Sequence, residues 1–369
     1  MSRRKVCVFC ETWASGGIEA FLTGVLLRQD MGEMEIDLAA ASLEESIYTA
    51  PLRAHGVRFV SLSGGPGPFG CWRRFRRLLR ERRYETVYVN AFQALSLRYG
   101  LLARRAGVPV RILHSHGADI RPQPLRPLKL LVHRIAGRLY GGAGTAWFAC
   151  SEEAAAFLFP SRPEVTLIPN GIDTERFRFQ PEGRRRTRAE LGLEDRFILG
   201  HLGRMSSEKN QRFLLEVLRA LLPLRPEAVL LLAGDGALRG ELERRAEELG
   251  LRDRVVFTGV TERPWELFWA MDGFLFPSLS EGLGLAAVEA QCAGLPLLCS
   301  EHIPDRAMLT GLPRRLALTE GPEAWAKAAA VLTPPERRED YAGAVREAGF
   351  DVNDVSRLLR TALMGGTAG

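Results

Sequence analysis

Two carboxylates, Glu281 and Glu289, flank a glycine-rich turn in the stretch FPSLSEGLGLAAVEAQCAGLPLLCS, with seven residues between them. FLFP predicts a strand, SLSEGLGL the loop leaving its carboxyl end, and Leu285 to Cys292 a helix that AGLP ends. The unpaired backbone N–H groups and the dipole of a helix N-terminus attract anions. Gly282 and Gly284 put no side chain in the way of a phosphate there. Glu281 precedes this point and Glu289 lies one turn beyond it, ~6 Å along the axis at ~1.5 Å per residue. Carboxylates ligate phosphate poorly but accept hydrogen bonds from hydroxyls readily. The chemistry that fits is the binding of a nucleotide-sugar: ribose at one glutamate, donor sugar at the other, diphosphate between.

The E-x7-E spacing alone is common, and read plainly it gives a charge before a helix and a solvated helix residue. The segment GRMSSEKN shifts the balance. It sets Arg204 and Lys209 after the strand pattern FILGHLG, in a chain whose lysines are Lys5, Lys129, Lys209 and Lys327. An arginine fork and a flexible lysine neutralise adjacent phosphates well. No D-x-D motif stands near them, so these cations take the place of a divalent ion, and neither metal nor cofactor is expected. His114 and His116, two apart after the strand pattern RIL, share one face. Such histidines usually pack or cap. His201, inside a strand pattern, reads as structural, while His55, His133 and His302 suggest no partner.

The elements that must hold these groups alternate. VCVFC, EIDLAAAS, VRFVSL, TVYVNA and VRILHSH are strand candidates in the first half, with helical stretches between several of them. In the second half RFILGHLGR, AVLLLAGDG, VVFTG, GFLFPS and PLLCS alternate with QRFLLEVLRALL, LRGELERRAEELG and GLAAVEAQCAG. Alternation of this kind predicts parallel sheets covered by helices, with ligands at the carboxyl ends of the strands. The Pro-, Gly- and charge-rich segment IPNGIDTERFRFQPEGRRRTRAELGL marks a boundary near residue 180. The expected fold is α/β: two Rossmann-like domains facing a central cleft, residues 1–180 and 181–349. An amphipathic helix in 350–369 packs back on the first domain.

A length of 369 residues, 46% hydrophobic and 25% charged, suits two soluble globular domains. The six cysteines are scattered, and Cys7 and Cys10, at i and i+3 of a strand, point to opposite faces, which reads as buried thiols. No run approaches the ~20 apolar residues of a membrane span, and the apolar run before Glu11 is too short for a signal peptide. A cytoplasmic protein is expected.

Taken together and in order, GGIEAF, HSHG, IPNGID, GRMSSEKN, LLAGDG and PSLSEGLGLAAVEAQCAGLP resemble the retaining glycosyltransferases of the two-Rossmann (GT-B) kind, family 4 or group 1. EAQCAGLP with SEHIPDR is most similar to the subgroup that builds capsular and exopolysaccharides. The resemblance implies metal-independent transfer of a sugar from a nucleotide-sugar, with UDP the favoured carrier, and retention of anomeric configuration. It gives Glu281 the donor-sugar hydroxyls, Glu289 the ribose, and Arg204 with Lys209 the diphosphate. Gly282, Leu283, Gly284 and Leu285 form the donor turn, and many relatives carry Phe or Pro in that turn where this chain does not. The resemblance sets Gly16 and Gly17 near donor phosphate and acceptor, and His116 against the donor sugar. The acceptor implied is a glycan or a polyprenyl-diphosphate-linked glycan.

Rival readings fit less well. No G-x-G-x-x-G follows the first strand, which speaks against a dinucleotide oxidoreductase. A phosphorylase needs a cofactor lysine in a chain poor in them, and a sugar-nucleotide epimerase shares the fold but not the glutamate set. The formal charge of +6 and CWRRFRRLLRERRYE suggest a non-enzymatic anionic-surface binder, yet no nucleic-acid module appears, so no nucleic-acid partner is expected. Residues 71–85, with Trp72, Phe75, Leu78 and Leu79 among arginines, and LRPLKLLVHRIAGRLYG together predict peripheral contact with an anionic membrane through the first domain. The plain alternative is a pair of helices covering the first sheet.

Overall fold

The computed structural model describes residues 3–14, 16–64, 68–117, 119–120, 125–162 and 164–366. The chain divides into two compact units, Met1–Gly171 with Val352–Gly369, and Ile172–Asp351. The crossing lies ahead of residue 181. At its start Ile172 N donates to Phe350 O (2.8 Å), and Ile172 bridges Asp351, so the chain enters and leaves the second unit at one place.

In the first unit β1 (Arg4–Trp13), β2 (Met34–Leu43), β3 (Arg58–Ser61), β4 (Thr86–Ala91), β5 (Val110–Ser115), β6 (Ala146–Ala149) and β7 (Val165–Leu167) form one sheet. Its order is β3-β2-β1-β4-β5-β6-β7, all parallel. The pleat of β1 sorts its side chains. Val6, Val8 and Cys10 enter one core layer, Cys7 and Phe9 the other. Cys7 and Cys10 thus lie on opposite faces, buried as free thiols.

The helix Gly17–Leu26 covers the first face with Ile18, Phe21, Leu22 and Val25. The terminal helix Val352–Leu363 lies beside it. Its inward residues Val352, Val355, Ser356, Leu359 and Leu363 follow the helical period, and Gln29 Nε2 donates to Ser356 Oγ at 2.8 Å. The helix Pro68–Arg82 covers the other face. Trp72, Phe75, Leu78 and Leu79 are all buried there, so the apolar stripe of that basic helix is spent on the core.

The second unit contains β8 (Phe197–Leu202), β9 (Ala228–Ala233), β10 (Val255–Gly259), β11 (Gly273–Phe276), β12 (Leu297–Cys299) and β13 (Pro313–Arg315). They pair in parallel in the order β10-β9-β8-β11-β12-β13. Strand β13 opens on a proline, which an edge tolerates because one side of it donates no ladder bond. Strands β6, β7 and β13 are the ones the sequence did not announce. Among the described residues no helix is long and apolar enough to cross a membrane.

Candidate functional site

In the second unit the carboxyl ends of β8, β9 and β11 meet, and their loops are tied together by backbone. Gly203 N donates to Ala233 O (3.0 Å), Met205 N to Asp235 O (2.9 Å) and Gly234 N to Gly259 O (2.8 Å). Gly234 adopts φ 122°, and a Cβ there would sit 2.2 Å from Gly203 O, so only glycine lets the loops approach. The loop after β8 then reaches the loop after β11. Leu279 N donates to Glu208 O (2.8 Å), and Asn210, at φ 56°, sends Nδ2 to Pro277 O (3.2 Å).

This stapling brings Lys209 and Glu281 together across 72 residues of sequence. Lys209 Nζ lies 2.6 Å from Glu281 Oε1 and 5.4 Å from the centre of the Phe276 ring. The helix Leu285–Cys292 starts where the sequence predicted. Its N-cap, Gly284, stands at φ 86°, a left-handed conformation that admits glycine cheaply, and supplies no side-chain cap. A Cβ at Gly284 would also come within 3.0 Å of Phe276 Cε1. The opening N–H groups of that helix are therefore left uncapped by side chains beside Gly282 and Leu283.

Glu289 sits one turn in, partly buried, and its carboxylate has no hydrogen bond or ion pair to any described residue. Burial pushes its carboxyl up to about 7, against the pull of the Lys209 ammonium. Arg204 is exposed on the loop after β8, where its carbonyl accepts from Gln211 Nε2 (2.8 Å). One ammonium thus serves both glutamates, by contact with Glu281 and through space with Glu289.

His201 is structural. It is buried in β8, with Nδ1 at Leu275 O (2.9 Å) and Nε2 3.3 Å from Gln211 Nε2, and burial pulls it down to about 4. Among the described residues no group of three His, Cys, Asp or Glu side chains gathers as a metal ion would need.

The first unit carries its own polar cluster. Gly16 is the extended N-cap of the helix Gly17–Leu26, again without a side-chain cap. One turn along, Phe21 packs against both His114 and His116, at 5.7 and 5.6 Å between ring centres. The two imidazoles lie 4.0 Å apart, on one face as their spacing required. Tyr88 Oη meets His114 Nδ1 at 2.6 Å. Asn90 Nδ2 donates to Phe9 O (3.3 Å), which turns its Oδ1 to accept from His116 Nε2 at 2.9 Å. His116 Nδ1 is then a buried lone pair, with the Asn170 side chain as its polar neighbour. Burial drives His116 down to about 3, so the ring is a neutral acceptor rather than a titrating base.

Asn90 and Tyr88 escaped the sequence reading. The signal was an asparagine next to the end of the strand TVYVNA, after Val87, Tyr88 and Val89. His133, for which no partner was foreseen, accepts from Ala94 N (3.2 Å) and meets Phe157 O (2.9 Å).

Residues 6–171 match the family model described as glycosyl transferase 4-like domain, and residues 183–347 the one described as glycosyl transferases group 1. EpsF of Bacillus subtilis (strain 168), whose name is that of a glycosyltransferase, is 33% identical over 97% of this chain and 96% of its own. A GDP-mannose-dependent alpha-(1-6)-phosphatidylinositol monomannoside mannosyltransferase of Mycolicibacterium smegmatis (strain ATCC 700084 / mc(2)155) is 32% identical over 61% of this chain and 60% of its own. The crystal structure of Anabaena Alr3699/HepE in complex with UDP-glucose matches 98% of this chain and 99% of that one. Its TM-score is 0.78 at 20% identity, a likeness of fold. With both halves matched in order and a relative aligned end to end, the chain belongs to the group 1 glycosyltransferases and has the GT-B fold of two parallel-sheet Rossmann-like domains.

Proposed function

We propose that the chain moves a sugar from a UDP-sugar to a glycan or lipid-linked glycan acceptor, with retention and without a metal, in cell-surface polysaccharide synthesis at a cytoplasmic membrane face. The observation that carries this is the contact of Lys209 with Glu281 at 2.6 Å beside an uncapped, glycine-led helix. A mobile ammonium with a carboxylate partner is a diphosphate ligand in waiting. When the diphosphate arrives, Lys209 turns to it and Glu281 is released to the donor-sugar hydroxyls. Glu289 accepts from the ribose, and Arg204 closes on the phosphates from the rim.

In the transition state, negative charge grows on the leaving phosphate as the sugar becomes oxocarbenium-like. Arg204, Lys209 and the N–H groups at Gly284 and Leu285 stabilise that charge where it develops. The acceptor hydroxyl attacks on the face the diphosphate leaves, and the leaving phosphate takes its proton, so no separate general base is needed. His116, neutral, stands against the donor sugar, and Gly16 and Gly17 admit the phosphate or the acceptor.

The UDP-glucose bound by the Anabaena protein favours UDP as the carrier, whereas the GDP-mannose named for the Mycolicibacterium relative favours GDP. A thermal-shift panel of UDP-, GDP- and ADP-sugars decides between them. A shift with none of the three would overturn the proposed site, and a shift confined to GDP-sugars would move the donor to the second reading.

A further inference from the structure

The helix Arg126–Tyr140 is apolar on its outward side. Leu128, Leu131, Val132, Ile135 and Leu139 are each between 45 and 63% exposed. At about 100° per residue they form one stripe about 100° wide. The opposite side holds the helix to the protein. His133 bonds Ala94 N and Phe157 O there, and Ala136 is buried. The exposure is therefore fixed by how the helix is anchored, since turning the stripe inward would unseat His133. Leu95 and Leu125 extend the stripe into an apolar hollow of about 300 Å³ that Leu128 and Val132 also line.

Charge surrounds the stripe on both edges. Arg134 and Arg138 lie along one edge and Lys129 along the other, while the fifteen-residue helix contains no Asp or Glu. Arg134 and Arg138 are exposed and form no ion pair with a described residue. Apolar outward, basic at both flanks and without acids is the pattern of a helix lying in a bilayer interface, with leucines among acyl chains and cations at anionic headgroups. A second copy of this chain fits the face poorly, because a two-fold pairing would set arginines against arginines with no acid on the helix to answer them.

We infer that the helix Arg126–Tyr140 docks the protein in the plane of an anionic bilayer, through the stripe Leu128–Leu139 and its flanking cations. The inference goes beyond the transfer reaction and does not depend on the donor. It also places the membrane contact on this helix rather than on the stripe Trp72, Phe75, Leu78 and Leu79 of Pro68–Arg82, which is spent on the core.

The test is co-sedimentation of the full chain with phosphatidylcholine vesicles, with and without phosphatidylglycerol, at low and high salt. Wild type should pellet with the anionic vesicles about tenfold more than with the neutral ones, and salt should release it. Leu131→Gln with Ile135→Gln, and separately Arg134→Glu with Arg138→Glu, should each lower binding about tenfold or more. Both pairs are exposed, so an unchanged melting temperature and an unchanged shift with UDP-sugar will show intact folding. Equal recovery on both vesicle types, or full binding by either double variant, would refute the inference. So would a wild-type dimer that Leu131→Gln with Ile135→Gln splits to monomer, which would assign the face to a second copy.

Discussion

Glu289→Gln should make the protein more stable and at the same time loosen its hold on nucleotide. Burial lifts this carboxyl from an ordinary 4.5 to about 7, opposed by Lys209. Between those values the native state keeps a proton that the unfolded chain has already lost. Stability therefore falls as pH rises from about 4.5 to about 7 and is level above that. At about 1.4 kcal/mol per pH unit the full penalty is about 3 kcal/mol. The side chain retains some solvent contact, so about 1–2 kcal/mol is expected. Glutamine carries no charge and escapes the penalty at pH 8, while at pH 5 it has little to escape. Urea unfolding of the nucleotide-free proteins should show the variant's advantage growing by that amount from pH 5 to pH 8. Calorimetric titration with UDP should move the other way. Loss of a charge-assisted bond to the ribose, worth about 1.5–3 kcal/mol, weakens binding about ten- to a hundredfold at pH 8. In wild type, UDP affinity should rise as Glu289 ionises. An advantage that is the same at both pH values, or is largest at pH 5, would mean the carboxyl is ionised throughout and the reasoning fails.

Glu281→Gln should slow transfer about ten- to a hundredfold while leaving UDP affinity within a few-fold of wild type, because its partner in catalysis is the sugar. Steady-state kinetics with a UDP-sugar checks this, and a loss confined to KM would contradict it. Arg204→Ala should weaken UDP and UDP-sugar alike, about tenfold or more, since the diphosphate is common to both. Transfer should survive EDTA, and a strict requirement for Mn²⁺ or Mg²⁺ would remove Arg204 and Lys209 from the role of the metal. Leu359→Ala, in a fully buried position of the terminal helix, should cost about 2–5 kcal/mol in unfolding experiments. A cost near zero would show that the helix does not belong to the core of the first unit.

The helix behind the glutamates was legible because glycines bracket it, Gly284 at φ 86° before it and Gly294 at φ 60° after it. The apolar run VCVFC showed where β1 begins but not its length. Thr12 and Trp13 continue the pairing with Ser42 and Leu43 although the pattern has already turned polar at Glu11. Strands β6, β7 and β13 are three or four residues long, too short for a period to show. The boundary between units was read from Pro and Gly density near 180, whereas the chain crosses at Gly171 and Ile172. There a Cβ on Gly171 would stand 3.0 Å from Val352, so the crossing is set by a contact between distant residues and not by composition.

The site shows the same division. Lys209 stood out because lysine is scarce here, and Glu281 because a glycine turn follows it. That Lys209 would rest on Glu281, though, depends on Asn210 and Glu208 pinning one loop to another. Asn90 holds His116 by a bond between neighbouring strands that no local pattern announces. The two basic helices make the limit plain. Pro68–Arg82 and Arg126–Tyr140 have the same length, a basic face and an apolar stripe at the same helical period. In one the stripe Trp72, Phe75, Leu78 and Leu79 is buried against the sheet, and in the other Leu128, Leu131, Ile135 and Leu139 face outward. Periodicity shows that a helix has an apolar face. Which face meets the core is settled by its anchors, here an imidazole bridging Ala94 and Phe157. A basic amphipathic helix can therefore be assigned to a core or to a membrane only once its inward contacts are known.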